Sequence, residues 1–167
     1  MNVVRTDLYH CIIKGLVTSI EPLFVPIKSP PKVGQLLLCD FEPGFKEPEM
    51  TKTSRPVIVL SAKSGLVTVV ACSTVAPDKP QAHHYKLPRQ SMPKTGHFMG
   101  RDSWVKGDMV YTVGFHRLNL VQTGKGMGGK RLYFTDALGR GQMSQIRQCV
   151  LYGIGMGFLA KHIVDND

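Results

Sequence analysis

The stretch Arg55-Pro56-Val57-Ile58-Val59-Leu60-Ser61-Ala62-Lys63-Ser64-Gly65-Leu66-Val67-Thr68-Val69-Val70-Ala71-Cys72 decides the fold class. Two apolar, β-branched runs, 56–60 and 66–72, flank the polar connection 61–65, whose final glycine suits a turn that needs positive φ. That is the pattern of a tight β-hairpin. The runs are nearly continuous in apolar character instead of alternating. This predicts strands covered on both faces, as where a small barrel closes and a helix packs over it.

Upstream of the hairpin, residues 35–41 read as a short apolar strand. Residues 42–54 mix prolines, a glycine and charges of both signs, the composition of a long surface loop of the kind that carries function. Downstream, 75–80 is turn-rich, 83–87 a short strand, and 89–102 a basic loop containing Pro93 and Gly96. Further strands are predicted at 109–112, 115–121 and 131–134, with 124–129 as a glycine-rich hairpin tip. From about 142 to 163 the pattern turns helical. Met143, Ile146, Val150, Ile154 and Phe158 recur at steps of three and four, making one apolar stripe. Gly153 and Gly157 fall on a shared face, where small residues allow close backbone approach to a strand, a helix or a second copy. Ser29-Pro30-Pro31 fixes an extended stretch that ends an N-terminal arm, so the expected division is an arm at 1–32 and a barrel domain with its C-terminal helix at 33–167.

The chain has 167 residues, 43% hydrophobic and 20% charged, enough for one buried core. Its 21 lysines and arginines against 12 acidic residues give a formal charge of +9. Such an excess favours polyanionic partners, because cationic side chains release counterions condensed on a phosphate backbone. Solubility is the plainer use of the same charge. Cys11, Cys39, Cys72 and Cys149 are far apart and lack zinc-like spacing, so reduced core thiols, no metal and a cytoplasmic setting are expected. Arg5, Asp7, His10 and Lys14 interrupt the N-terminal apolar patches, which disfavours a signal peptide, and 149–160 is too short to span a bilayer. No membrane association is expected.

Several motifs are weaker than they look. Residues 124–130 fit glycine, four residues, glycine and lysine, but Arg131 stands where serine or threonine should follow, and strand instead of helix comes next. A cationic hairpin tip is the better reading. His83 and His84 are adjacent, so in a strand they would point to opposite faces and could not share a metal or a reacting atom. His116 beside Arg117 is equally ambiguous, and no Gly-x-Ser-x-Gly turn supports a serine hydrolase. The informative set is cationic and hydroxylic: Arg55 at the start of one strand, Ser73 and Thr74 at the end of the next, then Lys106 and Asp108. Pro56 holds Arg55 extended, so its guanidinium either clamps a phosphate in a bidentate fashion or caps the strand through a carboxylate such as Asp40.

The segments 33–41, 55–61 and 70–74, with the later strand Asp108-Met109-Val110-Tyr111-Thr112-Val113, resemble the MazF/PemK ribonuclease toxins in order and spacing. The resemblance covers about 33–163. It implies a mainly β fold with α, namely an SH3-like small β barrel with a C-terminal helix. It also implies a homodimer that cleaves single-stranded RNA sequence-selectively by metal-independent attack of the 2′-hydroxyl, needs no cofactor and is neutralised by an antitoxin. DNA would be contacted only through a toxin–antitoxin complex. By the same resemblance Arg55 matches a catalytic arginine, Ser73 a position usually held by threonine, and Glu47 an acidic residue of the first loop. Lys106 and Asp108 match a basic and acidic pair, with lysine replacing arginine. Lys46, Lys52, Thr74 and Arg101 are the candidate RNA contacts, and Phe45, Phe98 and Trp104 the candidate stacking partners. The long first loop, the arm and the 89–106 connection depart from compact toxins. They leave open a noncatalytic nucleic-acid- or protein-binding module on the same barrel.

Overall fold

The computed structural model describes residues 26–42, 44–95 and 98–163, so most of the expected arm, together with Cys11, lies outside the described residues. The decisive hairpin is present as β2 (Arg55–Lys63) and β3 (Leu66–Ser73). Its turn is shorter than the polar run suggests, because Ser61, Ala62 and Lys63 continue the strand and Lys63 pairs with Leu66. Ser64 and Gly65 alone turn the chain, at φ 53° and 79°. Two successive left-handed residues match the right-handed twist of the flanking strands.

β1 (Leu36–Cys39) pairs with β2, and β5 (Ser103–Gly114) pairs with β3. β4 (His84–Leu87) lies outside β5, while β6 (Leu118–Lys125) joins β1 and carries β7 (Arg131–Phe134). The result is a seven-stranded antiparallel sheet in the order β4-β5-β3-β2-β1-β6-β7. Pro26 bridges to Asn119, and the Ile27 N–H donates to the Leu118 carbonyl at 2.9 Å, so the last residues of the expected arm are seated on β6.

Alternate residues of these strands enter two cores. Leu37, Cys39, Val57, Val59, Val67, Val69, Val113 and Leu118 gather with Phe41 and Met50 on one face. Leu36, Ile58, Val70, Cys72, Val105 and Val121 gather on the other with Met143 and Ile146 of the helix α1 (Arg140–Gly153). Both faces are therefore covered, which is why the hairpin lacks alternation. Complete burial of each such side chain stabilises by roughly 1.5–3 kcal/mol relative to exposure. The seven-stranded antiparallel sheet with one C-terminal helix is mainly β with α, the fold class expected.

The helix ends earlier than the stripe predicts. Gly155, at φ 79°, reverses the backbone. The Gly155 N–H then donates to the Tyr152 carbonyl and the Met156 N–H to the Leu151 carbonyl at 2.7 Å, which closes the last turn as a Schellman cap. A separate 3-10 helix, Gly157–His162, follows. Gly153 and Gly157 thus share no helical face, and Ile154 and Phe158 are exposed where burial was expected. Upstream, the expected strand from 115 begins instead as a 3-10 turn, Phe115–Arg117. No helix among the described residues is long and apolar enough to cross a membrane.

Candidate active site

β5 is not regular. Its pairing to β3 jumps from Val70 opposite Val110 to Cys72 opposite Val105, so the residues between are bulged out of that ladder. Bulges re-aim side chains and are common beside active sites. This one holds Lys106, Gly107 and Asp108. Lys106 pairs with His84 of β4, and the Gly107 N–H donates to the His83 carbonyl at 2.8 Å. From behind, α1 presses on the bulge: a Cβ on Gly107 would meet the Val150 nitrogen at 2.9 Å, and one on Gly153 the Asp108 nitrogen at 2.5 Å. The close approach expected of small residues is therefore made within the chain.

Antiparallel register brings the chemistry to one end of the sheet. Arg55 opens β2 opposite Cys39, the last residue of β1. Continuing the register of Val57 opposite Ala71 sets Arg55 against Ser73, which closes β3 opposite Trp104 of β5. The loop 42–54 leaves from the same end. Arg55 is half-buried, and its Nε is buried without a hydrogen-bond partner. The alternative role as a strand cap fails, since no ion pair joins it to Asp40 among the described residues. Asp40 Oδ1 instead accepts the Glu42 N–H at 2.9 Å. A desolvated N–H without an acceptor is costly unless a ligand supplies one. Ser73 is buried, and its Oγ accepts the Val75 N–H at 3.1 Å, leaving the hydroxyl proton to be donated elsewhere. Thr74 follows, half-buried.

The acids divide. Asp108 is half-exposed on the bulge. Glu47 lies on the lip of an open cleft of about 540 Å³ between residues 47–52 and Met109, and Lys52 lines the same cleft. Lys46 is exposed beside it, and its N–H donates to Glu49 Oε2 at 3.1 Å. Tyr111 connects these groups. Burial first, then the charges of Asp108 and Glu49, push its hydroxyl above the usual phenol range, while Arg55 opposes the shift. Tyr111 also meets Phe41 and Phe45 edge-on at 4.8 and 5.9 Å. The sequence reading missed both Tyr111 and Glu49.

Other expectations need correction. Phe98 is 6% exposed and belongs to the core beneath α1, so it cannot stack on a base. Phe45 is half-buried, wedged between Phe41 and the Arg117 guanidinium, 5.2 Å from its ring centre. Trp104 alone of the three keeps both partial exposure and a place at the site's end, with Lys86 Nζ 5.9 Å from its ring. Arg101 lines a different cleft, with Met92, Lys94 and Phe98, and is not brought to the Glu47–Met109 side. Arg117, passed over as ambiguous, donates to the Asp40 carbonyl at 3.1 Å and so ties down the start of the first loop.

The histidines also depart from expectation. His83 lies in the turn before β4, so strand alternation does not separate it from His84. Their rings are 4.1 Å apart, and His83 Nε2 is 4.0 Å from Asp108 Oδ2. Burial, then His83 and Lys106, lower the pKa of His84. The signal for this arrangement was Gly107, a glycine inside a strand, which marks a bulge or a close backbone contact.

Register brings a desolvated arginine and a buried serine hydroxyl to one end of an antiparallel sheet, and a bulge in β5 carries a half-exposed carboxylate. The chain belongs to the PemK-like, MazF-like toxins of type II toxin–antitoxin systems, a family that it matches over residues 32–150. It is 26% identical over 140 residues to an uncharacterized protein of Haemophilus influenzae, covering 77% of this chain and 93% of that one. It is also similar to a solved endoribonuclease in complex with its cognate antitoxin from a mycobacterial species, at 18% identity and a TM-score of 0.48, with 75% of this chain and 96% of that one covered. A further similarity is to the Mycobacterium tuberculosis toxin MazF-mt6, at 13% identity and a TM-score of 0.46, covering 73% and 97% of the two chains.

Proposed function

We propose that this protein is an endoribonuclease toxin that cleaves single-stranded RNA by transesterification without a metal, and that an antitoxin neutralises it. The observation that carries this reading is the buried, partnerless Nε of Arg55, set by register against the buried hydroxyl of Ser73. Asp108 is the base that takes the 2′-hydroxyl proton. The freed oxygen attacks the adjacent phosphorus, the bond to the 5′-oxygen breaks, and a cyclic phosphate and a 5′-hydroxyl remain. Arg55 and the Ser73 hydroxyl stabilise the charge that grows on the phosphate oxygens. Lys106, beside Asp108 on the bulge, is the cation from which the leaving oxygen draws its proton.

RNA is selected over DNA because DNA lacks the attacking hydroxyl. The cleft between Glu47 and Met109, with Lys46 and Lys52 at its edge, accepts the splayed strand and supplies sequence selectivity. An antitoxin segment in that cleft would exclude RNA. Tyr152 in the last turn of α1 and Ile154, Met156 and Phe158 beyond it, all at least 40% exposed, support pairing with a second copy. The described cysteines, buried and unpaired, support a reducing, cytoplasmic setting.

The test incubates the full chain with mixed-sequence RNA in chelator. Cleavage giving cyclic phosphate ends, lost in Arg55→Ala, is expected. Cleavage that requires a metal, or survives Arg55→Ala, refutes the mechanism. RNA retention without cleavage would assign the noncatalytic binding role.

A further inference from the structure

The site contains a second chemistry that phosphate handling does not use. His83, His84 and Asp108 bring one donor atom each to within 4.8 Å of one another. The backbone beneath them is fixed from two sides. The Gly107 N–H bonds the His83 carbonyl, Lys106 pairs with His84 across the β4–β5 ladder, and α1 clamps the bulge through Gly153. Two imidazoles and a carboxylate, with positions left for water, form a donor set suited to a borderline cation of the zinc type.

We propose that His83, His84 and Asp108 bind a zinc-type divalent cation, and that the occupied site withholds the Asp108 carboxylate from RNA cleavage. The second half rests on the function proposed above. Zinc bonds to nitrogen and oxygen are about 2.0–2.2 Å, which places tetrahedral donors about 3.3 Å apart. His83 Nε2 and Asp108 Oδ2, now 4.0 Å apart, reach that spacing by a small side-chain rotation, for which the half-exposed Asp108 has room. His84 has a cost to meet. Its Nδ1 accepts the Gln81 N–H at 3.1 Å, so ligation through either ring nitrogen gives up that bond. The bond is exposed, and water replaces it at a cost of about 1 kcal/mol. Lys106 faces the same ring and opposes a cation, but its flexible stem can carry the ammonium into solvent. A carboxylate bound to the metal cannot take the 2′-hydroxyl proton. Metal therefore inhibits where the reaction itself needs none.

The experiment titrates Zn²⁺ into the full chain against a chromophoric chelator, with His83→Gln and His84→Gln in parallel and circular dichroism to establish that each variant is folded. One tight equivalent in the wild type, weakened at least 10-fold by either substitution, is expected. Equal uptake by all three proteins overturns the site. RNA cleavage is then followed in chelator and with one equivalent of Zn²⁺. Slowing in the wild type that His83→Gln relieves is expected, and cleavage indifferent to saturating Zn²⁺ overturns the withholding of Asp108. A chain that takes up Zn²⁺ through these histidines yet cleaves no RNA in chelator supports the metal site and refutes the ribonuclease reading.

Discussion

Replacing Gly153 by alanine tests how the site is held. Alanine has the higher helix propensity, by about 1 kcal/mol in a helix interior, so an unencumbered position would gain stability. Here the new Cβ would be 2.5 Å from the Asp108 nitrogen, and ordinary contact begins at 3.4 Å. The helix must retreat from the β5 bulge by nearly 1 Å, or the bulge must flatten. Overpacking of this kind costs about 1–3 kcal/mol, which exceeds the propensity gain, itself only a fraction of the interior value at Gly153, the last residue of α1. The expected net loss is about 1–2 kcal/mol, or a fall in Tm of roughly 2–8 °C for a domain of this size. Thermal and urea denaturation measure it. Gly124→Ala, whose Cβ would meet nothing within 4 Å, is the control and should stay within about 0.5 kcal/mol of the wild type. Gly107→Ala should act on the same contact. The double variant should then lose less than the sum of the two singles, because a helix already displaced accommodates the second methyl. A Gly153→Ala protein as stable as the wild type, or two strictly additive losses, would refute the clamp.

On the proposed mechanism Ser73→Ala removes the hydroxyl that donates to the reacting phosphate, so cleavage should fall about 10²- to 10³-fold with RNA affinity little changed; an equal loss in binding and rate would contradict that role. The Lys86 and Arg89 cations, each 2.7 Å from Asp102, hold its carboxyl below the usual carboxylate range. Its contribution to stability is therefore full above the ordinary carboxylate value and is lost as pH falls through the depressed one. A carboxyl titration by NMR should show the depression, with Lys86→Ala reducing it, and an ordinary pKa in the wild type would speak against the pairing. Burial pushes the thiols of Cys39 and Cys72 up to about 12 and that of Cys149 to about 11. In the native protein at pH 8 all three should resist a disulfide reagent that modifies the unfolded chain completely, as read by peptide mapping; rapid native modification of Cys72 would contradict its burial.

The hairpin was legible because its signal is local: β-branched runs and one glycine specify strands and turn without reference to the rest of the chain. The placement of Arg55 and Ser73 at strand ends was legible for a related reason, since antiparallel pairing makes neighbours of the start of one strand and the end of the next. What escaped was long-range. Lys106-Gly107-Asp108 lies inside a strand extending six residues upstream of Met109, where the strand was expected to begin, and the bulge depends on pairing with β3, β4 and α1 together. The same bulge brings His83 to Asp108, a contact that strand periodicity argued against. The helix stripe misled because Gly155 stops the helix within an apolar run. Periodicity counts side chains and does not register a backbone reversal.

The turn at Ser64-Gly65 lies at the opposite end of β2 and β3 from Arg55 and Ser73, with no atom within 4 Å of a Cβ on Gly65. The candidate site and the turn therefore lie at opposite poles, joined by strands eight or nine residues long. A fluorophore, an affinity handle or a surface tether at the turn would leave the cleft facing solution, so the protein could be immobilised or tracked with its candidate site unobstructed.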